Sequence, residues 1–463
     1  MQKFIAKYGL AAHLAVVAVA PLVLSPFQGG GAVAVVLLWL SLLGGLWTVL
    51  GPSALKDETL QGARRRVLNA LATDPLFWVT LALALLAGVQ ALNSGIRLSY
   101  DVENAAWGLT EAAYPILPGS VGAVGLLPFA TAVALTVLLQ GVRHSLGRAA
   151  RMAFLFTSTL LSGLAALVAL LAGFLGHPGL LEAFAQANAA HSFAGYSHGL
   201  FLLCGTAALV TAFERRWRVA LLLLIFGLAA NAAGAFAFAP VRVAVAFGVA
   251  ELALLLAVVF YAQAVFRSNA GFKLLVFWGL AVTLGMILAV GLMPKAALTE
   301  RMDACQALAF LPDGFWESRR ALSAIGMKAW VSHLWIGSGL GSFPLVFRFN
   351  ASPEDWELLP LGASALSNGW WKILSEGGLV GLVSYVLPPL FLVFTYFRRL
   401  AEGIRARAWP EPAVLLAPLA LALLVGGGFL DCTLTRAEVV LTTGAMLAVS
   451  AATFRKGTRQ DNG

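Results

Sequence analysis

The chain has 463 residues, 60% of them hydrophobic and only 11% charged, with a mean hydropathy of +0.85. Soluble domains carry roughly 25% charged residues, so a water-facing surface cannot be built from this composition. Soluble enzymes, nucleic-acid binders and disordered regulators are excluded, and the net charge of +9 needs an origin other than nucleic acid.

About 20 apolar residues cross roughly 30 Å of hydrocarbon. Scanning at that length predicts twelve spans, at 9–25, 32–50, 75–93, 121–141, 152–175, 195–213, 219–238, 241–265, 274–293, 371–396, 413–430 and 437–454. Lys3 and Lys7 precede the first run as they would in a signal sequence. No convincing small-residue cleavage site follows at Ser25-Pro26-Phe27-Gln28, so the run is read as a retained span. Backbone polar groups cannot go unpaired in hydrocarbon, which makes the spans helices and the fold all-α and polytopic.

With both termini on the cytoplasmic side, 21 of the 31 basic residues fall in inner segments, as the positive-inside rule requires. Among them are Arg64, Arg65 and Arg66, then Arg143, Arg148 and Arg151, and Arg215, Arg216 and Arg218. The basic excess is therefore read as orientation, and the lipid bilayer, not nucleic acid, as the partner. Three outer segments remain, 94–120, 176–194 and 294–370. The chain divides into 1–293 with the first nine spans, a long outer loop at 294–370, and 371–463 with the last three spans and a cytoplasmic tail.

The loop contains an amphipathic stretch, Glu317 to His333, with Leu322, Ile325, Ala329 and Trp330 at helical spacing. It is predicted to be a helix lying against the outer membrane face. Cys204 falls mid-span, as a small buried hydrophobe does. Cys305 and Cys432 both fall on the outer side, where a disulfide between them is one reading.

The candidate chemistry lies on that outer face. Arg242, just after Pro240, opens the eighth span. It reads either as an arginine snorkelling to the interface or as an anion site beside the unpaired N–H groups of a helix start. Arg319 and Arg320 follow Glu317 at the start of the amphipathic stretch, as a solvated charged turn or as a phosphate clamp. The run Gly337-Ser338-Gly339-Leu340-Gly341-Ser342-Phe343 lacks G-x-G-x-x-G spacing and a preceding strand, so it is read as a tight turn and not as a nucleotide loop.

Ser367 or Asn368 is placed to cap the tenth span, with Trp370 and Trp371 in the aromatic belt. Gly377 and Gly381 have the spacing of a close helix contact. Glu376, about two turns inside, is an intramembrane acid and by default a functional candidate. Glu251 carries the same suspicion, against a reading as a buried, protonated acid.

Taken in order, these features are a basic residue opening an outer-face span and a long outer loop with an arginine-started helix. A G-x-G-x-G-x-F turn follows, and then a polar-Asn pair nine residues before E-x-G-L-x-G. This resembles the O-antigen ligase and O-antigen polymerase family of bacterial surface-polysaccharide enzymes. The resemblance covers mainly residues 235–395; the first half is similar only in hydropathy and span number.

The resemblance implies a GT-C-like membrane glycosyltransferase of about 12 helices in the bacterial inner membrane. It would move a glycan from a polyprenyl-diphosphate carrier to lipid A-core, or to another carrier-linked glycan, at the periplasmic face, without cofactor, nucleotide or metal. Arg242 and Arg319, with Arg320 as the adjacent possibility, take the family's diphosphate-binding positions. Ser367, Asn368 and Glu376 take its catalytic positions, but Ser367 stands where the family has a histidine acting as general base. His191, His198 and His333 are the alternative bases on the outer side. A membrane transporter of a small anion or lipid-linked sugar, or a catalytically silent paralogue, are the competing expectations.

Overall fold

The computed structural model describes residues 2–24, 30–50, 67–101, 106–110, 114, 116–177, 193–238, 241–266, 269–306, 315–358, 368–405 and 436–453. Nearly all of them are helical. The first helices are α1 (Gln2–Leu24), α2 (Gly30–Leu50) and α3 (Pro75–Leu92). After a short hairpin come α4 (Leu126–Gln140), α5 (Arg148–Phe174), α6 (Phe193–Glu214), α7 (Arg218–Phe238), α8 (Val241–Phe266) and α9 (Ala270–Leu292). The long loop holds α10 (Lys295–Gln306), α11 (Phe315–Ser332), α12 (Phe343–Asn350) and α13 (Pro353–Leu358), and the chain continues with α14 (Gly369–Arg405) and α15 (Ala437–Thr453).

Among the described residues, nine helices are long and apolar enough to cross a membrane, and two shorter apolar helices, Tyr8–Leu24 and Ala437–Val449, accompany them. The protein is thus a polytopic helical membrane protein. These eleven match eleven of the twelve predicted spans; the remaining one, 413–430, lies outside the described residues, as does Cys432.

Two departures from the sequence reading concern the loops. The segment after α3 forms an antiparallel pair, β1 (Arg97–Asp101) with β2 (Ala106–Thr110), in register Arg97 to Thr110. The long loop, predicted to hold one helix, holds four among its described residues. The three unforeseen ones are short, and α10 and α13 are polar, so hydropathy does not reveal them.

The bundle packs through small residues. Without a hydrophobic driving force between helices in lipid, close approach is what allows dispersion contacts to accumulate. Helix α7 is central, packing on α5, α6 and α9, and its Ala/Gly-rich face explains why. A Cβ on Gly163 of α5 would come within 2.6 Å of the Gly227 carbonyl oxygen of α7. Asn231 occupies the same interface, donating from Nδ2 to the carbonyls of Thr159 (2.9 Å) and Gly227 (2.8 Å).

Polar pairs fix the helix ends. Asp74 caps α3, accepting from Leu76 N–H at 3.1 Å, with Pro75 at the first helical turn. The same carboxylate pairs with Arg143 and with His144 (Nε2 at 3.0 Å) from the π-turn Gly141–Ser145 that ends α4. At the opposite end of α3, buried Asn93 donates to the carbonyls of Tyr114 (3.1 Å) and Leu117 (3.0 Å) and accepts from Tyr114 N–H (3.0 Å). That side chain fastens the return of the 94–120 segment.

Candidate functional site

The 334–343 segment is built into α14. Gly378, inside α14, has φ 62° and ψ −163°, which is not helical. In an uninterrupted helix, the N–H groups of Leu379 and Val380 would donate to the carbonyls of Ser375 and Glu376. The break separates these partners and leaves four polar groups to satisfy. The loop supplies all four. Leu379 N–H donates to Leu334 O (3.0 Å) and Val380 N–H to Trp335 O (3.1 Å). In return, Ser338 N–H donates to Ser375 O (2.8 Å) and Gly339 N–H to Glu376 O (3.0 Å).

This geometry explains the alternating glycines. Gly337, Gly339 and Gly341 all have positive φ, at 67°, 98° and 76°, a region glycine enters without steric cost. A Cβ on Gly337 would lie 2.6 Å from the backbone nitrogens of Gly377 and Gly378. The predicted tight turn is therefore an inserted loop. Among the described residues, Gly377 and Gly381, read as a helix-packing pair, meet no neighbouring helix: a Cβ on Gly377 would meet nothing within 4 Å there, and one on Gly381 only Ile373 of its own helix. Gly378, between them, is the glycine the structure requires.

Glu376 belongs to this joint. It is 3% exposed, and its Oε1 accepts from Phe343 N–H at 3.4 Å, at the start of α12. The carboxylate meets the positive end of a helix, with Lys372 one turn earlier on its own helix. Ser338 Oγ donates to Ser375 O (2.9 Å) and lies 2.7 Å from Ser342 Oγ. Leu340 extends the assembly to the 94–120 segment, donating to Gly119 O and accepting from Val121 N–H, both at 2.9 Å. Glu376 thus ties the start of α12 to α14.

Helix α11 rides on this joint. Its buried face, Leu322 and Ile325, packs with Phe343 and Phe347, and Trp371 lies against the cluster; the rings of Trp330 and Trp371 are 6.3 Å apart. The predicted amphipathic helix is therefore present, buried on the predicted face. On its first turns Arg319 is half-buried and Arg320 exposed.

The other expected site residues are distributed as follows. Asn368 caps α14, its Oδ1 accepting from Trp370 N–H (2.9 Å) and Trp371 N–H (3.2 Å). Ser367 and His191 lie outside the described residues, and Arg242 is the second residue of α8 with its side chain outside the described set. His198, grouped from sequence with the outer histidines, is wholly buried in α6 with Nδ1 2.9 Å from Asn231 Oδ1, so it is not a solvent-facing base. His333 is exposed, in the turn after α11, fourteen residues of mostly helical chain from Arg319, roughly 20 Å of backbone at 1.5 Å per residue.

Sequence reasoning missed the inserted loop and the Asp74–Arg143–His144 cluster. The Asp74-Pro75 step carried a local signal, an N-cap followed by an N1 proline; the loop's partner lies some 40 residues away and had none. Among the described residues, no three His, Cys, Asp or Glu side chains gather to hold a metal ion. No protein-family model matches the chain, and no curated protein matches it either.

Proposed function

We propose that the protein is a membrane glycosyltransferase of the O-antigen ligase or polymerase type, moving a glycan from a polyprenyl-diphosphate carrier to lipid A-core or another glycan at the periplasmic face. The observation that carries the reading is the joint between the 334–343 loop and the broken α14. It fixes the arginine-bearing α11 to a membrane helix through backbone hydrogen bonds. In this reading Arg319, with Arg320 beside it and Arg242 from α8, binds the diphosphate. The acceptor hydroxyl attacks the anomeric carbon, the bond from that carbon to the phosphate oxygen breaks, and polyprenyl diphosphate leaves with the electron pair. Arginines stabilise the charge that develops on the leaving group. The hydroxyl proton passes to a general base, a role for which His191 and His333 stand as candidates from the sequence.

Transport is the competing reading, and the broken α14 is the feature that invites it, because transporters bind solutes at the ends of interrupted helices. Here the groups freed by the break are taken by the loop's own backbone, which favours transfer. Purified protein in bilayer discs, given a carrier-linked glycan and lipid A-core, is expected to release free polyprenyl diphosphate and extend the acceptor. Neither product, together with carrier-dependent uptake of the glycan into proteoliposomes, would replace transfer by transport.

A further inference from the structure

Away from the loop joint, helices α6, α7, α8 and α9 line a cavity of about 270 Å³. Its wall is almost wholly apolar, with the rings of Tyr196, Phe236, Phe247 and Trp278 contributing much of it. The rings of Tyr196 and Phe247 meet at 4.2 Å between centroids, tilted by 50°. Glu251 interrupts this surface. It is 2% exposed and sits about ten residues, roughly 15 Å, along the apolar helix α8 from Val241.

Only half of that carboxylate is used. Oε2 accepts from Trp278 Nε1–H at 2.9 Å, while Oε1 is buried with no hydrogen-bond partner among the described residues. Gly199 keeps the space beside it: a Cβ there would strike the Phe247 ring and come within 3.3 Å of Oε1. No Lys, Arg or His is among the described residues lining the cavity, so none of the described cations answers the acid from its wall. A buried carboxylate without a counter-charge is costly. The mouth is on the flank of the bundle, where Val245 and Met286 line the cavity and are also 42% and 38% exposed.

We propose that this cavity binds an amphiphilic organic amine, its ammonium group on Glu251 Oε1 and its apolar tail against the aromatic wall, admitted from the bilayer between α8 and α9. An ammonium supplies both the missing N–H donor and the missing charge, and aromatic faces attract cations. A hard metal ion would need six or more oxygens, and among the described lining residues Glu251 and Tyr196 alone carry a side-chain oxygen. The inference is independent of the transfer reading.

The test measures retention of labelled dodecylamine by the protein in phosphatidylcholine discs, against empty discs. Saturable binding is expected, displaced by unlabelled amine but not by dodecanol or dodecanoate, and at least ~10-fold weaker in Glu251→Gln, which keeps the acceptor for Trp278. Met286→Trp, at the mouth and outside the packed interior, is expected to weaken it similarly without altering the unfolding temperature. Adding phosphatidylethanolamine distinguishes sources: competition identifies a membrane aminolipid as the ligand, and undiminished binding identifies a free amine. Retention no greater than in empty discs, equal displacement by dodecanol, or undiminished binding by folded Glu251→Gln or Met286→Trp would overturn the proposal.

Discussion

One carboxylate, that of Asp74, caps α3 and pairs with two side chains from the end of α4. Burial pushes its carboxyl up, but the His144 hydrogen bond, the Arg143 and His144 charges and the Leu76 N–H outweigh burial and hold it below the ordinary carboxylate value. Its folded value therefore lies below the unfolded one of about 4. The stabilisation is complete above that pH and is lost as pH falls through the folded value. Replacing Asp74 by Asn should lower stability at pH 7 by up to about 3 kcal/mol, because Arg143 is left partly buried without its partner. The gap between wild type and Asp74→Asn, measured by thermal unfolding, should close as pH drops below about 4; a gap constant from pH 7 to 3 would contradict this assignment.

Helix α14 illustrates how far an element can be read from its own residues. Its start and its buried acid were legible, since each depends on local composition, whereas Trp371, read as an interface residue, packs against the face of α11. The break was not, because the bonds that fill it are backbone to backbone and leave no side-chain pattern. The spacing of Gly377 and Gly381 suggested a helix contact, but spacing carries no information about which element lies opposite. Gly378→Ala should cost more than about 2 kcal/mol, since its φ and ψ suit only glycine and a Cβ would strike the Trp335 carbonyl. Gly377→Ala, with open space around it, should be neutral or slightly stabilising. Thermal unfolding together with limited proteolysis of 334–343 separates the two, and equal behaviour would remove the inserted loop as the reason for the glycine.

At the scale of the molecule, hydropathy located the spans because each must cross a fixed thickness alone. It failed where segments are short or polar, as in α10 and α13, and where polar side chains meet between distant spans, as at Asp74 and Arg143. The distribution of basic residues makes a further prediction about orientation. Single cysteines placed in 294–370 should react with an impermeant thiol reagent in intact cells, and cysteines after residue 454 only once the membrane is opened; the reverse pattern would invert the topology and remove the periplasmic reading.

In the proposed reaction, arginines from α8 and α11 stabilise a departing polyprenyl diphosphate. The single-turnover rate of glycan transfer from the diphosphate carrier by folded wild-type, Arg242→Ala and Arg319→Ala proteins in bilayer discs measures this. Measurable transfer by wild type and a loss of about 10²–10³ for each variant are expected, the cost of removing one well-placed donor to a developing negative charge. Wild-type rates in both variants, or no transfer by the wild-type protein, would contradict it.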